Sequence, residues 1–306
     1  MFFGAWVAAM IKLHNVTGMC LGMNQYSEWD ILKQHILKPG DNVWDGDFKG
    51  FDTSQMPSML WPILDSINDW YTLRGGGADN GVRTMLFYDL TYSRHLVAES
   101  KAADTVVQWN KSLATGHFLT APVNTAVSST GIVSGFIETT GELDFWSHAS
   151  FATLGDDNVC CTSDKYIDKF NQITLAKHLK DSYGMEYTAG RKGEELKKFM
   201  KIDEVIFLQR QFATKYGKTV CPIRPESFLN SLYYTKKGSA VYRDQVVITG
   251  LENALQELSM HTEEQWKNVA PRIAEALAMY NSVPEHSISS SRTYFDIVMS
   301  RVPEYI

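Results

Sequence analysis

A short acidic hairpin constrains this sequence more than any other stretch. Phe151-Ala152-Thr153-Leu154 and Val159-Cys160-Cys161-Thr162 are apolar or strand-prone runs, with Gly155-Asp156-Asp157 close between them. The stretch reads as two antiparallel strands joined by a tight turn. Two adjacent carboxylates at one exposed tip repel each other. A pair of hard divalent cations is the commonest reason to fix carboxylates so close together. An ordinary solvated turn is the plain alternative, because Gly and Asp are favoured turn residues.

The chain has 306 residues, enough for one large domain or two of ordinary size. A net charge of -6 argues against a protein that coats nucleic acid non-specifically, although local basic patches remain able to bind phosphate. Cys20, Cys160, Cys161 and Cys221 show neither metal-ligand spacing nor a disulfide framework. They read as reduced, core-facing thiols of an intracellular protein. The opening run from Met1 to Ile11 is apolar, too short to span a bilayer and without the layout of a signal peptide. It is expected to be a buried helix, and its abrupt start suggests a piece cut from a longer chain.

Taken in order, Asn15-Val16-Thr17-Gly18 breaks the first helix, and Tyr26 to Leu37 reads as an amphipathic helix stopped by Lys38-Pro39-Gly40-Asp41. Residues 42–48 look like a strand, left through a turn at Lys49-Gly50-Phe51-Asp52. Pro57 and Pro62 suit the start of a helix that ends at Gly75-Gly76-Gly77. An acid at a strand end (Asp47) and another five residues later (Asp52) can place one carboxylate on a metal and the other further along a substrate. Strand-end and helix-cap aspartates are the plain alternative. Thr84 to Tyr92 and Thr105 to Trp109 read as strands of a small ribbon. Thr115-Gly116 then leads into a helix to about Gly135, with Thr120 and Asn124 on one face near its start. Such a loop and helix N-terminus suit a nucleotide or nucleic-acid backbone, though a helix cap accounts for Thr120 by itself.

Beyond the hairpin, Asp164 to Tyr183 reads as a helix, Met185 to Thr188 as an edge strand, and Ile206 to Phe212 with Thr219 to Ile223 as an antiparallel pair. After Pro225 helices dominate. Thr262-Glu263-Glu264-Gln265 is a capping box, Pro271 is expected to kink the helix that follows, and residues 286–291 read as a loop. The shift in composition near Arg224 predicts a domain boundary.

Together these motifs resemble the RNA-dependent RNA polymerases of positive-strand, picornavirus-like RNA viruses. Asp47-Phe48-Lys49-Gly50-Phe51-Asp52 matches the first palm motif. Gly116, Thr120 and Asn124 match the second, and Gly155-Asp156-Asp157 the third. Tyr183 to Thr188 with Lys192 resembles the fourth, and Phe207-Leu208-Gln209-Arg210 the fifth, the primer grip. Five motifs in one order are far more specific than any one of them. The resemblance implies an α+β fold: a right-hand palm, built of an antiparallel sheet with packed helices, and a mainly helical thumb. Residues 1–224 would form the palm with partial fingers insertions at about 1–40 and 78–112, and residues 225–306 the thumb.

The resemblance also implies roles. Asp47 and Asp156 would hold two Mg2+ ions, with Mn2+ able to substitute, and Asp157 would support them as a further metal residue. Asp52, with Thr120 and Asn124, would read the ribose 2′-hydroxyl by which a protein tells RNA from DNA. Thr115 and Gly116 belong to the same nucleotide-binding loop. Lys192 would protonate the departing pyrophosphate, although a solvated lysine-rich face also accounts for it. Arg210 and its neighbours would support the primer. Thr115, Leu154 and Gln209 depart from the family's usual serine, tyrosine and lysine, and none is a metal ligand.

The fingers motif that grips the triphosphate with basic residues has no counterpart ahead of Asp47. The chain is therefore expected to start after it and to be impaired as a polymerase. Expected partners are template and primer RNA, ribonucleoside triphosphates and other viral replication proteins. The expected setting is the host cytoplasm, in membrane-associated complexes without direct insertion. The rivals are a reverse-transcriptase-like enzyme and a non-catalytic RNA- or partner-binding module, the latter motivated by basic residues in 191–201 and 236–243.

Overall fold

The computed structural model describes residues 2–97, 105–233, 243–281 and 289–300. The chain divides into two compact units, Met1–Met23 with Gln34–Leu208, and Asn24–Lys33 with Gln209–Ile306. In chain order the elements up to the first strand are α1 (Gly4–Thr17), α2 (Trp29–Ile36) and β1 (Asn42–Phe48). Then follow α3 (Phe51–Ser54), α4 (Pro57–Thr72), α5 (Asn80–Thr91), β2 (Arg94–Val97), β3 (Thr105–Gln108) and α6 (Thr120–Thr140). The first unit closes with α7 (Phe145–His148), β4 (Ala149–Leu154), β5 (Asp157–Thr162), α8 (Gln172–Tyr183), β6 (Tyr187–Ala189) and β7 (Ile206–Phe207).

An antiparallel sheet in the order β4-β5-β1-β6 is the frame of this unit. β1 is an inner strand and all but one of its residues are buried, because both of its edges are paired and large aromatics cover it. Trp44 meets Phe170 edge-on at 5.4 Å, and Phe48 meets Tyr187 at 5.1 Å. Helix α6 is rich in small residues and is buried along most of its length, packed between β4 and α8.

Several expectations needed correction. Thr84 to Tyr92 is helical: within α5 the buried positions Arg83, Phe87, Leu90 and Thr91 recur at helical spacing, which a short apolar run does not announce. The predicted helix from Asp164 begins only at Gln172, where Asn171 forms a capping box by accepting from the Ile173 and Thr174 amides. Helix α6 runs past Gly135 to Thr140. Gly131 and Gly135 do not end it but let α8 approach: a Cβ on Gly135 would lie 2.7 Å from the Leu175 side chain. Helix α1 continues through Asn15-Val16-Thr17 and stops at Gly18.

In the second unit, β8 (Arg210–Gln211) precedes a hairpin of β9 (Ala213–Lys215) and β10 (Lys218–Val220). Of the predicted pairing of Ile206–Phe212 with Thr219–Ile223, the Arg210–Ile223 bridge is made, while β10 pairs with β9 around Tyr216-Gly217 instead. The helices are α9 (Pro225–Ser231), α10 (Arg243–Leu258), α11 (Glu263–Asn281) and α12 (Ser291–Met299). Phe228, Leu251, Leu255, Leu258 and Ile273 form their shared core. The predicted capping box is present: the Gln265 amide donates to Thr262 Oγ1, and the Thr262 amide to Gln265 Oε1. Within this unit Trp29 stacks on Phe212 at 4.8 Å. All four cysteines are buried and outside any disulfide. Among the described residues no helix is long and apolar enough to cross a membrane. Residues 98–104, 236–242 and 286–288, on which parts of three expectations rest, lie outside the described residues.

Candidate active site

The sheet register brings two distant acids to one place. β1 runs antiparallel to β5 with Gly46 opposite Asn158, while Asp47 faces Thr188 of β6. The next step along β1 thus carries Asp47 toward the β4–β5 turn, where Leu154 pairs with Asp157. Gly155 has φ +65°, a left-handed conformation that glycine adopts without a Cβ clash, and this presents Asp156 at the exposed tip.

The electrostatics confirm the crowding. The Asp47 carboxyl is held above its ordinary range by burial and by the Asp156 charge, and Lys192 opposes the shift. Asp157 is pushed up to about 6 by burial and by Asp156, Asp47 and Asp45, while an N–H from the Leu208 backbone pulls it down. No lysine or arginine within salt-bridge distance neutralises Asp47, Asp156 or Asp157 among the described residues. Lys192 is exposed and acts on Asp47 only through space.

A second carboxylate station lies on α3. Asp52 Oδ2 accepts from Thr115 Oγ1 at 2.7 Å, and its Oδ1 from Asn124 Nδ2 at 2.7 Å. The Asp52 carbonyl accepts from the Leu113 amide at 2.9 Å, which ties the Thr115-Gly116 loop to the same corner. Thr120 does not join this set. Its hydroxyl donates to the Ala114 carbonyl at 2.7 Å and shapes the loop. Gly116 sits in the open loop with φ +92°.

The four primer-grip residues are not alike. Phe207 is buried, and Leu208 and Gln209 both have positive φ, 53° and 62°. Arg210 is not available to a primer strand. It is 5% exposed and pairs with Glu257 through both guanidinium nitrogens at 2.9 and 2.8 Å, with a further bond to the Cys221 carbonyl at 2.8 Å. The side chain is thus engaged within the fold.

Four supporting residues escaped the sequence reading. Thr125, next to Asn124, accepts the Gly155 amide on Oγ1 at 2.9 Å. Buried Asn158 donates to the carbonyls of Gly46 (3.1 Å) and Asp156 (2.9 Å), and accepts from Tyr187 Oη at 2.6 Å. Gln55, wholly buried, donates to Asn124 Oδ1 and so turns the Asn124 amide nitrogen toward Asp52. Asp45 accepts from the Ile206 amide at 2.7 Å and the Gly190 amide at 3.3 Å, a structural use of a carboxylate two residues from Asp47. Apart from the adjacency of Thr125 to Asn124 and of Asn158 to the acidic turn, nothing in the local sequence marks them.

The donor set fits a hard divalent cation. Asp47 and Asp156 offer carboxylate oxygens, and the Asp156 charge together with burial raises the Asp47 carboxyl, with no lysine or arginine in salt-bridge distance among the described residues. Among the described residues no three His, Cys, Asp or Glu groups form a preformed metal cage. Mg2+ is commonly held by one or two carboxylates plus substrate phosphates, the number of carboxylates that Asp47 and Asp156 supply.

Residues 1–278 match the family model described as viral RNA-dependent RNA polymerase. The chain is similar to the replicase polyproteins of cricket paralysis virus (24% identical, 87% of this chain, 16% of the relative) and acute bee paralysis virus (27%, 88% and 15%). It is also similar to the RNA1 polyprotein of Satsuma dwarf virus (26%, 89% and 13%). It therefore spans a small part of the length of these relatives. Its fold matches the solved structure of a Sicinivirus 3Dpol RNA-dependent RNA polymerase with a TM-score of 0.74 at 15% identity, over 98% of this chain and 60% of that one.

Proposed function

The chain belongs to the viral RNA-dependent RNA polymerase family, and from that premise we propose that it carries the catalytic region for template-directed RNA synthesis by two-metal nucleotidyl transfer. The observation that carries this reading is the convergence of Asp47, from β1, with Asp156, from a turn more than a hundred residues later.

Two Mg2+ ions, or Mn2+ in their place, held by Asp47 and Asp156 with support from Asp157, would neutralise the triphosphate and activate the primer 3′-hydroxyl. Asp52 and Asn124 present an acceptor and a donor to a ribose 2′-hydroxyl, and the Thr115 hydroxyl holds Asp52 in place. Lys192, exposed and acting on Asp47 through space, supplies the proton for the leaving pyrophosphate. The primer strand is supported by the Leu208-Gln209 backbone rather than by the Arg210 side chain.

In this reading residues 1–224 are palm with fingers insertions and residues 225–306 are thumb. The substrates are primed RNA and ribonucleoside triphosphates. The partners are other viral replication proteins, in membrane-associated complexes of the host cytoplasm.

Primer extension by this chain, and by the same residues within the full-length polymerase, tests the proposal. Asp47→Asn and Asp156→Asn should each lower extension at least a thousandfold, about 4 kcal/mol of lost transition-state stabilisation. Extension near the wild-type rate by either variant would overturn the two-metal reading. Preference for deoxynucleotides would point to a reverse-transcriptase-like enzyme, and salt-sensitive RNA binding without synthesis in any context to a binding module.

A further inference from the structure

Helix α6 touches both carboxylate stations through consecutive residues. Asn124 donates to Asp52 at 2.7 Å, and Thr125 meets the turn that carries Asp156 and Asp157. Thr125 is completely buried and its hydroxyl is fully committed. It donates to the Ala121 carbonyl at 2.8 Å, which fixes the direction of the O–H, and the lone pairs left over accept the Gly155 amide at 2.9 Å. One turn further along α6, Ser129 Oγ contacts Thr153 Oγ1 at 2.8 Å and donates to the Thr125 carbonyl at 2.8 Å. The β4 side of the hairpin is therefore hydrogen-bonded to α6 at two levels, and the level nearer the acids is Thr125.

The turn needs such a hold. Gly155 has a positive φ and no side chain to pack, and a Cβ at its position would meet nothing within 4 Å, so packing does not fix it. The ladder bonds end at the Leu154–Asp157 pair. From the α6 side, the Thr125 acceptor fixes the Leu154–Gly155 peptide plane, one peptide before that of Asp156.

We propose that Thr125 is the positioning residue of the metal-binding turn, setting where Asp156 points and coupling that turn through α6 to the ribose-reading pair Asp52 and Asn124. The proposal rests on the metal-site reading above. Thr125 touches no substrate. A hydroxyl at this position is required, and a methyl in its place is not equivalent even though it fills the same volume.

Amide hydrogen exchange at Gly155 and Mn2+ binding followed by electron paramagnetic resonance test this on the chain as it stands, in wild-type, Thr125→Val and Thr125→Ser forms. Thr125→Val should accelerate Gly155 exchange and weaken Mn2+ binding, each at least about tenfold. Thr125→Ser should restore both to within about threefold of wild type. Unchanged exchange and affinity in Thr125→Val would overturn the proposal, as would failure of serine to rescue. Should the valine variant not fold, two measurements still decide: rapid Gly155 exchange in the wild type, or loss of Mn2+ binding in a folded serine variant, would overturn it. If the wild type binds no Mn2+ at all, the metal-site reading fails. The exchange comparison then judges the hold of Thr125 on the turn separately.

Discussion

The acidic turn of the first unit and the Arg210–Glu257 pair of the second treat charge in opposite ways. At the turn, three carboxylates crowd together with no lysine or arginine in salt-bridge contact among the described residues, and burial and mutual repulsion push Asp157 up to about 6. In the second unit, Glu257 accepts two bonds from Arg210 and one from Tyr26 Oη at 2.5 Å, and Arg210 also lies over the Tyr26 ring. A charge answered from every side holds a fold together. Perturbed carboxylates of this kind mark a candidate functional site, whereas the Arg210–Glu257 pair belongs to the architecture.

Breaking the satisfied pair should produce the largest effect on stability. Arg210→Met leaves Glu257 buried without its partner and should cost about 3–5 kcal/mol in urea denaturation. A loss below about 1 kcal/mol would mean that Arg210 is not structural and would reopen its role at the primer.

Relieving the crowded site should act in the other direction. The Asp157 pKa is raised from 3.8 to about 6 in the folded chain. The fold therefore favours the protonated form. The penalty is absent below about pH 4, grows as pH rises, and is complete above about pH 6. Asp157→Asn should remove that slope and raise stability at pH 7.5 by about 2 kcal/mol. A variant no more stable than wild type at pH 7.5, with the slope intact, would contradict the crowding.

Gln55→Leu should have a smaller and more selective effect. It frees the Asn124 amide, and discrimination between ribo- and deoxyribonucleotide binding should fall about tenfold, or ~1.4 kcal/mol, with binding of the deoxy form little changed. Equal weakening of both would place Gln55 in general packing. Least affected should be the exposed Lys49–Glu186 pair at 3.1 Å: Glu186→Gln should shift stability by no more than about 0.5 kcal/mol.

The sequence carried the site better than its supports. Asp47, Asp52, Asn124 and the acidic turn occur in a fixed order, and the strands around Asp47 and Asp156 follow from alternating apolar residues and turn chemistry. In the structure Asn124 donates to Asp52, and the strand register carries Asp47 toward the turn that bears Asp156. What stayed hidden depends on pairings distant in sequence. Arg210 reads as a free cation until Glu257, 47 residues on, is found beside it. Gly135 reads as a helix end until Leu175 is seen to need its space. Thr125 and Gln55 read as filler until the peptide and the amide they hold are located.

In the proposed mechanism Asp47 and Asp156 share a divalent metal site. A crystal of this chain soaked in Mn2+ with a ribonucleoside triphosphate, examined by anomalous scattering, tests it most directly. Mn2+ peaks are expected in contact with the carboxylates of both Asp47 and Asp156. Peaks confined to other acids, with these two carboxylates free of metal, would contradict it.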